Sequence, residues 1–182
     1  MKKRTTKSKL LLLDANIIFR THELGIWEDL IERVAVTVPS SVAYDEVLFT
    51  QHGDQVEDLS IPDLEDDGKL EIVEATAQDL VSTIFKFDRL FTEILDKGER
   101  EALALIDNGH AEGAHFCTTD GPAIIALAML GHSEQGISLE RVLKEFGLQQ
   151  GRMMRHWTEQ FFQEKVREGQ LNLITGVGLR RE

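Results

Sequence analysis

Along this chain, short apolar runs alternate with stretches whose apolar residues recur every three to four positions, and that alternation sets the expected architecture. "KLLLLD" (9–14) reads as a strand buried on both faces, because consecutive leucines leave no face for solvent. Helical periodicity follows over roughly 16–33, including "ELGIWEDLIERV", and "AVTVP" (35–39) is a second strand. "SSVAYDEVLFT" (40–50) reads as a helix entered through serine, with Pro39 just before it. Residues 51–68 are polar and strongly acidic, with Gly53, Pro62 and Gly68, and predict a loop or lid. "KLEIVEA" (69–75) is a third, amphipathic strand. "AQDLVSTIFKFDRLFTEIL" and "KGEREALALIDNGH" predict two helices separated by Lys97-Gly98. "HFCTTD" (115–120) is a fourth strand, followed by the helix "PAIIALAMLG". Strands alternating with helices predict an α/β fold with parallel strands joined by right-handed crossovers. Beyond Gly131, "GISLERVLKEFG" predicts a short edge strand and a helix. Residues 151–168 predict an amphipathic helix, and "LNLITGVGLRRE" fits either an edge strand or a loose tail.

At 182 residues and 42% apolar content the chain can build one domain with a substantial core and an appended element. No run approaches the ~20 apolar residues of a membrane span, and the start "MKKRTTKSK" leads into a segment too short for a signal sequence. The single cysteine, Cys117, excludes an intramolecular disulfide framework and cysteine-built zinc, and it suits a reducing cytoplasm. The net charge of −12 is uneven: residues 1–9 carry five Lys/Arg and no acid, residues 10–140 seven against 27 Asp/Glu, and residues 141–182 eight against five. Such an acidic body is unlike a sequence-reading DNA-binding domain. It suits a protein whose acidic site is screened by metal before it meets a polyanion.

Four acids carry the candidate chemistry. Asp14 and Asp120 end predicted strands, and in an open α/β sheet ligands bind beyond the carboxyl ends of the strands. Asn16, if still extended, shares a face with Asp14, and Thr118 shares one with Asp120, so both are candidate orienting donors. Glu46 lies on the helix face of Val42, Ala43 and Phe49, whereas Asp45 turns to solvent. Glu99 and Glu101 both fall in the first turn of a helix, and periodicity does not choose between them. Buried unpaired carboxylates are costly, so several aimed at one place call for a cation, and oxygen donors select Mg²⁺ or Mn²⁺.

"LLLDANIIF", "VPSSVAYDEV", "GEREALAL" and "CTTD", in this order, resemble the four motifs of the PIN-domain nucleases, including the VapC-like toxins. The resemblance covers roughly residues 10–148. It implies a three-layer α/β/α PIN-like (Rossmann-like) fold with a central parallel sheet of four to five strands, preceded by a basic tail (1–9) and followed by a C-terminal helical extension (149–182). Carried over by position, Asp14, Glu46, Glu101 and Asp120 resemble the metal-binding catalytic acids, with Asn16, Thr118 and Glu99 in support. Gly121-Pro122 stands where many members place a further acid. The resemblance implies a cytoplasmic, divalent-metal-dependent endoribonuclease acting on RNA. It also admits the toxin role with a small antitoxin partner, a homodimer, or a non-catalytic PIN-like module that binds RNA or protein. A haloacid-dehalogenase-like phosphatase also begins with a strand ending in Asp, but it needs a second aspartate where Asn16 stands.

Other features carry less. His22, His52, His110, His115, His132 and His156 show no zinc spacing, and no glycine-rich phosphate loop is present. Arg152, Arg155, His156 and Trp157 form a basic–aromatic cluster suited to gripping RNA, or to packing an amphipathic helix on the body or on a second subunit. The basic tail (Lys2, Lys3, Arg4, Lys7, Lys9) is suited to lie on phosphates.

Overall fold

A computed structural model describes residues 10–46, 49–52, 55–148, 151 and 153–180. The basic tail and Arg152 lie outside the described residues. The central sheet comprises β1 (Leu10–Leu13), β2 (Ala35–Pro39), β5 (Glu71–Val73), β6 (Ala114–Cys117) and β7 (Gly136–Ile137) in the order β5-β2-β1-β6-β7. Every pairing is parallel, with Leu12 opposite both Thr37 and Phe116. The chain moves outward from β1 to β5, then returns to β6 on the other side of β1. The order therefore reverses between β1 and β6, which places the ligand crevice at their carboxyl ends.

Strand alternation assigns the two helical layers. Leu12 and Phe116 pack into a core with α6 (Lys97–Asp107) and α7 (Gly121–Met129), through Leu103, Ile106 and Leu127. Leu13 and Cys117 face the other way, against α1 (Ala15–Glu23), α2 (Trp27–Arg33) and α8 (Leu139–Glu145), through Ile17, Leu30, Ile31 and Val142. Helices therefore flank both faces of the sheet.

Four local expectations need correction. Much of the loop or lid expected at 51–68 is regular structure: β3 (Phe49–His52) and β4 (Gln55–Asp58) pair antiparallel, followed by α3 (Ile61–Asp66). Ser60 caps α3 by accepting from the Asp63 N–H, and Pro62 sits in its first turn, a start signal that the acidic composition masked. The helix expected over 40–50 is cut short, because it widens into a π-helical turn at Val42–Glu46 and the chain is extended again from Phe49. The long helix expected over 77–95 divides into α4 (Ala77–Ile84) and α5 (Arg89–Glu93), since Asp88 caps α5 and turns the chain. Of the ambiguous C-terminal stretch, residues 171–175 are the end of a helix. A single α9 runs from Glu159 to Thr175, and Leu179 beyond it makes a lone bridge to Phe87.

The C-terminal extension packs on the body. Phe162 and Val166 of α9 join Ile124 and Ala128 of α7, and Trp157 is buried in the main core. Gly169 permits the close crossing: a Cβ there would lie 2.4 Å from the Ile125 carbonyl oxygen.

Candidate metal centre

Asp14 follows β1 directly and stands at the N-cap position of α1, yet its side chain makes no capping hydrogen bond. The ordinary use of an aspartate at a strand–helix junction is therefore not its use here. Its Oδ2 accepts from the Thr118 hydroxyl at 2.8 Å, while its buried Oδ1 has no hydrogen-bond partner. Burial pushes the Asp14 carboxyl up to about 7, helped by the negative charges of Asp96 and Asp120 and opposed by the Thr118 hydrogen bond. A buried carboxylate oxygen with no donor is the gap a cation fills.

Thr118 also accepts from the Asp120 backbone N–H at 3.0 Å, so one hydroxyl ties the ends of β1 and β6 together. The sequence pairs Thr118 with the Asp120 carboxylate. In the structure its hydroxyl serves Asp14 instead. Asn16 is not extended, because α1 begins at Ala15, and its side chain is exposed. Asp120 caps α7 through a 3.4 Å contact from the Ala123 N–H.

Glu46 closes the π turn, and its Oε1 accepts from the Gly98 N–H at 2.7 Å. A Cβ at Gly98 would lie 2.5 Å from Val42 Cγ2 and 2.8 Å from Glu46 Oε2, so only glycine allows this approach. Beside it, Asp45 pairs with Lys97, which fastens the π turn to the start of α6. Burial and the charge of Asp96 raise the Glu46 carboxyl above its ordinary range.

Asp96, which the sequence reading passed over, completes the group. It is the N-cap of α6 and forms a reciprocal capping box with Glu99, accepting from the Glu99 N–H at 2.7 Å while its own N–H donates to Glu99 Oε2 at 3.0 Å. The spacing D-x-x-E before an apolar run is the sequence signal that finds it. Asp14, Glu46 and Asp96 each offer an oxygen within 4.8 Å of the others, a span that a hard cation with ligands at ~2.0–2.6 Å can bridge. Glu99 is buried beside them, its carboxyl raised by burial and then by the charges of Asp120, Asp96 and Asp14, and it hydrogen-bonds Asp120.

Glu101 points elsewhere. Its Oε1 accepts from the Ser40 hydroxyl at 2.7 Å and the Ala75 N–H at 3.1 Å, and its Oε2 from the Ser41 N–H at 2.7 Å and the Ser41 hydroxyl at 2.5 Å. Burial acts to raise its pKa, but these four donors outweigh burial and hold the carboxyl below its ordinary range. Its acceptor capacity is filled by neutral donors, so the geometry makes it a brace between α6, the two serines after β2 and Ala75, two residues past β5. Of the two acids, Glu99 is the one near Asp14 and Asp120.

Away from this crevice, Arg155 is exposed and pairs with Glu164 at 3.3 Å, while Trp157 is buried and offers no open ring for stacking. His110 and His132 pair with Asp79 and Asp107, and His22 stacks on Trp27. Among the described residues no helix is long and apolar enough to cross a membrane. Compared with protein-family models, curated proteins and solved structures, the chain gives no significant match.

Proposed function

We propose that this chain is a divalent-metal-dependent ribonuclease of the PIN type, hydrolysing RNA phosphodiester bonds. One observation carries the reading: Asp14, buried at the carboxyl end of the central strand with an unpartnered Oδ1, has Glu46 and Asp96 oxygens within bridging distance. The fold's reversal point, the hard-oxygen donor set and the raised carboxyl pKa values all favour Mg²⁺ or Mn²⁺. In this reading the metal-holding set is Asp14, Glu46 and Asp96, with Asp120 and Glu99 next to it and Glu101 outside it.

Such an ion, when bound, polarises the phosphoryl oxygen and lowers the pKa of the attacking water. The chain's own residues prepare that site. Thr118 holds Asp14 by Oδ2 and leaves Oδ1 without a donor, and the Gly98 N–H holds Glu46 by Oε1. Glu99 and Asp120 share a hydrogen bond, so a proton kept there limits the charge the crevice must carry. In-line attack leaves a 5′-phosphate and a 3′-hydroxyl.

The test is labelled RNA incubated with Mn²⁺ or Mg²⁺, with Asp14→Asn and Glu46→Gln as controls and EDTA as the blank. Metal-dependent cleavage lost in both variants is expected. A wild type that cleaves nothing under these conditions would leave the non-catalytic RNA- or protein-binding module as the better reading.

A further inference from the structure

A groove of about 850 Å³ runs along α4 and α5, with Leu80, Val81, Ile84 and Phe85 among its lining residues. It carries four cations, Arg89, Lys97, Arg100 and Arg180, against two acids, Asp88 and Glu93. That local excess stands out on a chain of net charge −12. Arg89 pairs with Glu93 and Lys97 with Asp45, while Arg100 and Arg180 enter no ion pair among the described residues. Arg100 gives one terminal nitrogen to the Thr92 carbonyl, and its buried Nε has no hydrogen-bond partner among the described residues. The Arg180 guanidinium lies 3.5 Å from the ring centroid of Phe85, which is 57% exposed. This stacked pair is a flat platform of the kind on which bases sit.

Lys97 joins the groove to the acidic crevice. It follows Asp96 directly, and its ammonium pairs with Asp45 beside Glu46. The ionised acids of the crevice repel a phosphate chain, so affinity for one must come from cations next to the crevice. The groove supplies them.

We propose that the groove along α4 and α5 is the track of the substrate strand. A single-stranded polynucleotide lies with a base on the Phe85–Arg180 platform and phosphates on Arg89 and Arg100, and enters the crevice past Lys97. This rests on the nuclease reading above. The apolar floor alone would equally suit an amphipathic helix or a second copy of the chain; the excess of cations and the direct continuity with the acidic cluster select a polyanion.

The experiment is fluorescence anisotropy with a labelled random-sequence single-stranded RNA pool, in Ca²⁺, across a salt series. Stacking and phosphate contacts tolerate any sequence, so a random pool is an adequate probe. Arg89→Gln/Arg180→Gln, which removes one phosphate contact and half of the platform, should weaken binding at least about tenfold and lower the log–log salt slope by about 0.7, the value for one phosphate contact on a single strand. Phe85→Leu, which keeps the apolar fill, should weaken it at least about fivefold. Circular dichroism and melting temperature establish that each variant is folded. Unchanged affinity in folded variants, with metal-dependent cleavage retained, overturns the track and leaves the nuclease reading standing. A wild type that neither binds nor cleaves overturns both. Concentration-dependent dimerisation lost in Phe85→Leu, with RNA affinity intact, assigns the groove to a second copy and overturns the proposal.

Discussion

Glu101→Gln separates two accounts of a motif glutamate by the sign of a stability change. Each oxygen of Glu101 accepts one backbone N–H and one hydroxyl: Oε1 takes Ala75 and Ser40, Oε2 takes the Ser41 N–H and its own hydroxyl. A glutamine therefore cannot choose a harmless flip, because either orientation turns its NH₂ toward a backbone donor. That donor is left buried without an acceptor, at about 1–3 kcal/mol. The hydroxyl beside it must reverse, and the two bonds to the remaining oxygen lose their charge assistance, at about 1 kcal/mol each. The total is about 3–5 kcal/mol, or about 10 °C in melting temperature for a chain of this size. The assay is thermal or urea unfolding in EDTA near neutral pH, so that metal plays no part. If Glu101 instead stood among the mutually repelling acids, neutralising it would raise the stability of the metal-free protein. A Glu101→Gln variant that melts at or above wild type refutes the brace.

Asp14→Asn should do the opposite, raising the melting temperature in EDTA above neutral pH by removing a buried charge, while abolishing the melting-temperature increase that Mn²⁺ gives the wild type. The metal-free protein should also lose stability as pH rises. The folded-state pKa of Asp14, about 7, lies above its ordinary 3.8, so its contribution is fully present below about 4 and gone above about 7. Urea midpoints across that window should fall in wild type and flatten in Asp14→Asn; parallel curves would contradict the assignment. Gly98→Ala should push Glu46 off its N–H donor, since the new Cβ would sit 2.8–2.9 Å from both carboxylate oxygens, and should weaken Mn²⁺ binding by about 10–100-fold in a calorimetric titration. Gly169→Leu should separate α9 from α7 and cost about 1–3 kcal/mol or more, because the Cβ alone would meet the Ile125 carbonyl at 2.4 Å; an unchanged unfolding midpoint would rule that packing out.

The sheet was legible because its signal is redundant. "KLLLLD", "AVTVP" and "HFCTTD" each combine a short apolar run with a terminal Asp or Pro that stops the strand, and the order of the helices between them imposes parallel pairing. The elements that went unread depend on single residues whose effect is local. Ser60 starts a helix inside an acidic stretch that composition alone marks as loop, and Asp88 ends a periodicity that otherwise runs straight through. The π turn at Val42–Glu46 has no pattern of its own. Asn16 was paired with Asp14 on strand geometry, and one residue of helix, Ala15, is enough to undo that. Strand-end placement found Asp14 and Asp120 because the rule concerns where a chain turns. It has nothing to say about a helix N-cap such as Asp96, whose carboxylate reaches the crevice from another element.

The start of α6, with Glu99 in its first turn and Glu101 just past it, shows why neighbouring acids in one motif take different work. Successive helical residues are about 100° apart, so Glu99 and Glu101 point about 200° away from each other and cannot both face one crevice. Glu99 turns toward Asp14 and Asp120, where burial and negative charge keep its carboxyl protonated above the ordinary range. Glu101 turns toward Ser40, Ser41 and Ala75, where four donors keep it ionised. The brace and the crevice are then mechanically linked: Ser41 immediately precedes the π turn that carries Glu46, and Gly98, between Asp96 and Glu99, supplies the N–H that holds Glu46. Pulling Glu101 away would loosen the π turn at its start and Glu46 at its end. Glu101→Gln should therefore weaken Mn²⁺ binding without removing a ligand, and Glu101→Gln combined with Glu46→Gln should lose little more than Glu46→Gln alone. Additive losses in the double variant would mean that Glu101 acts on the ion by a route independent of Glu46.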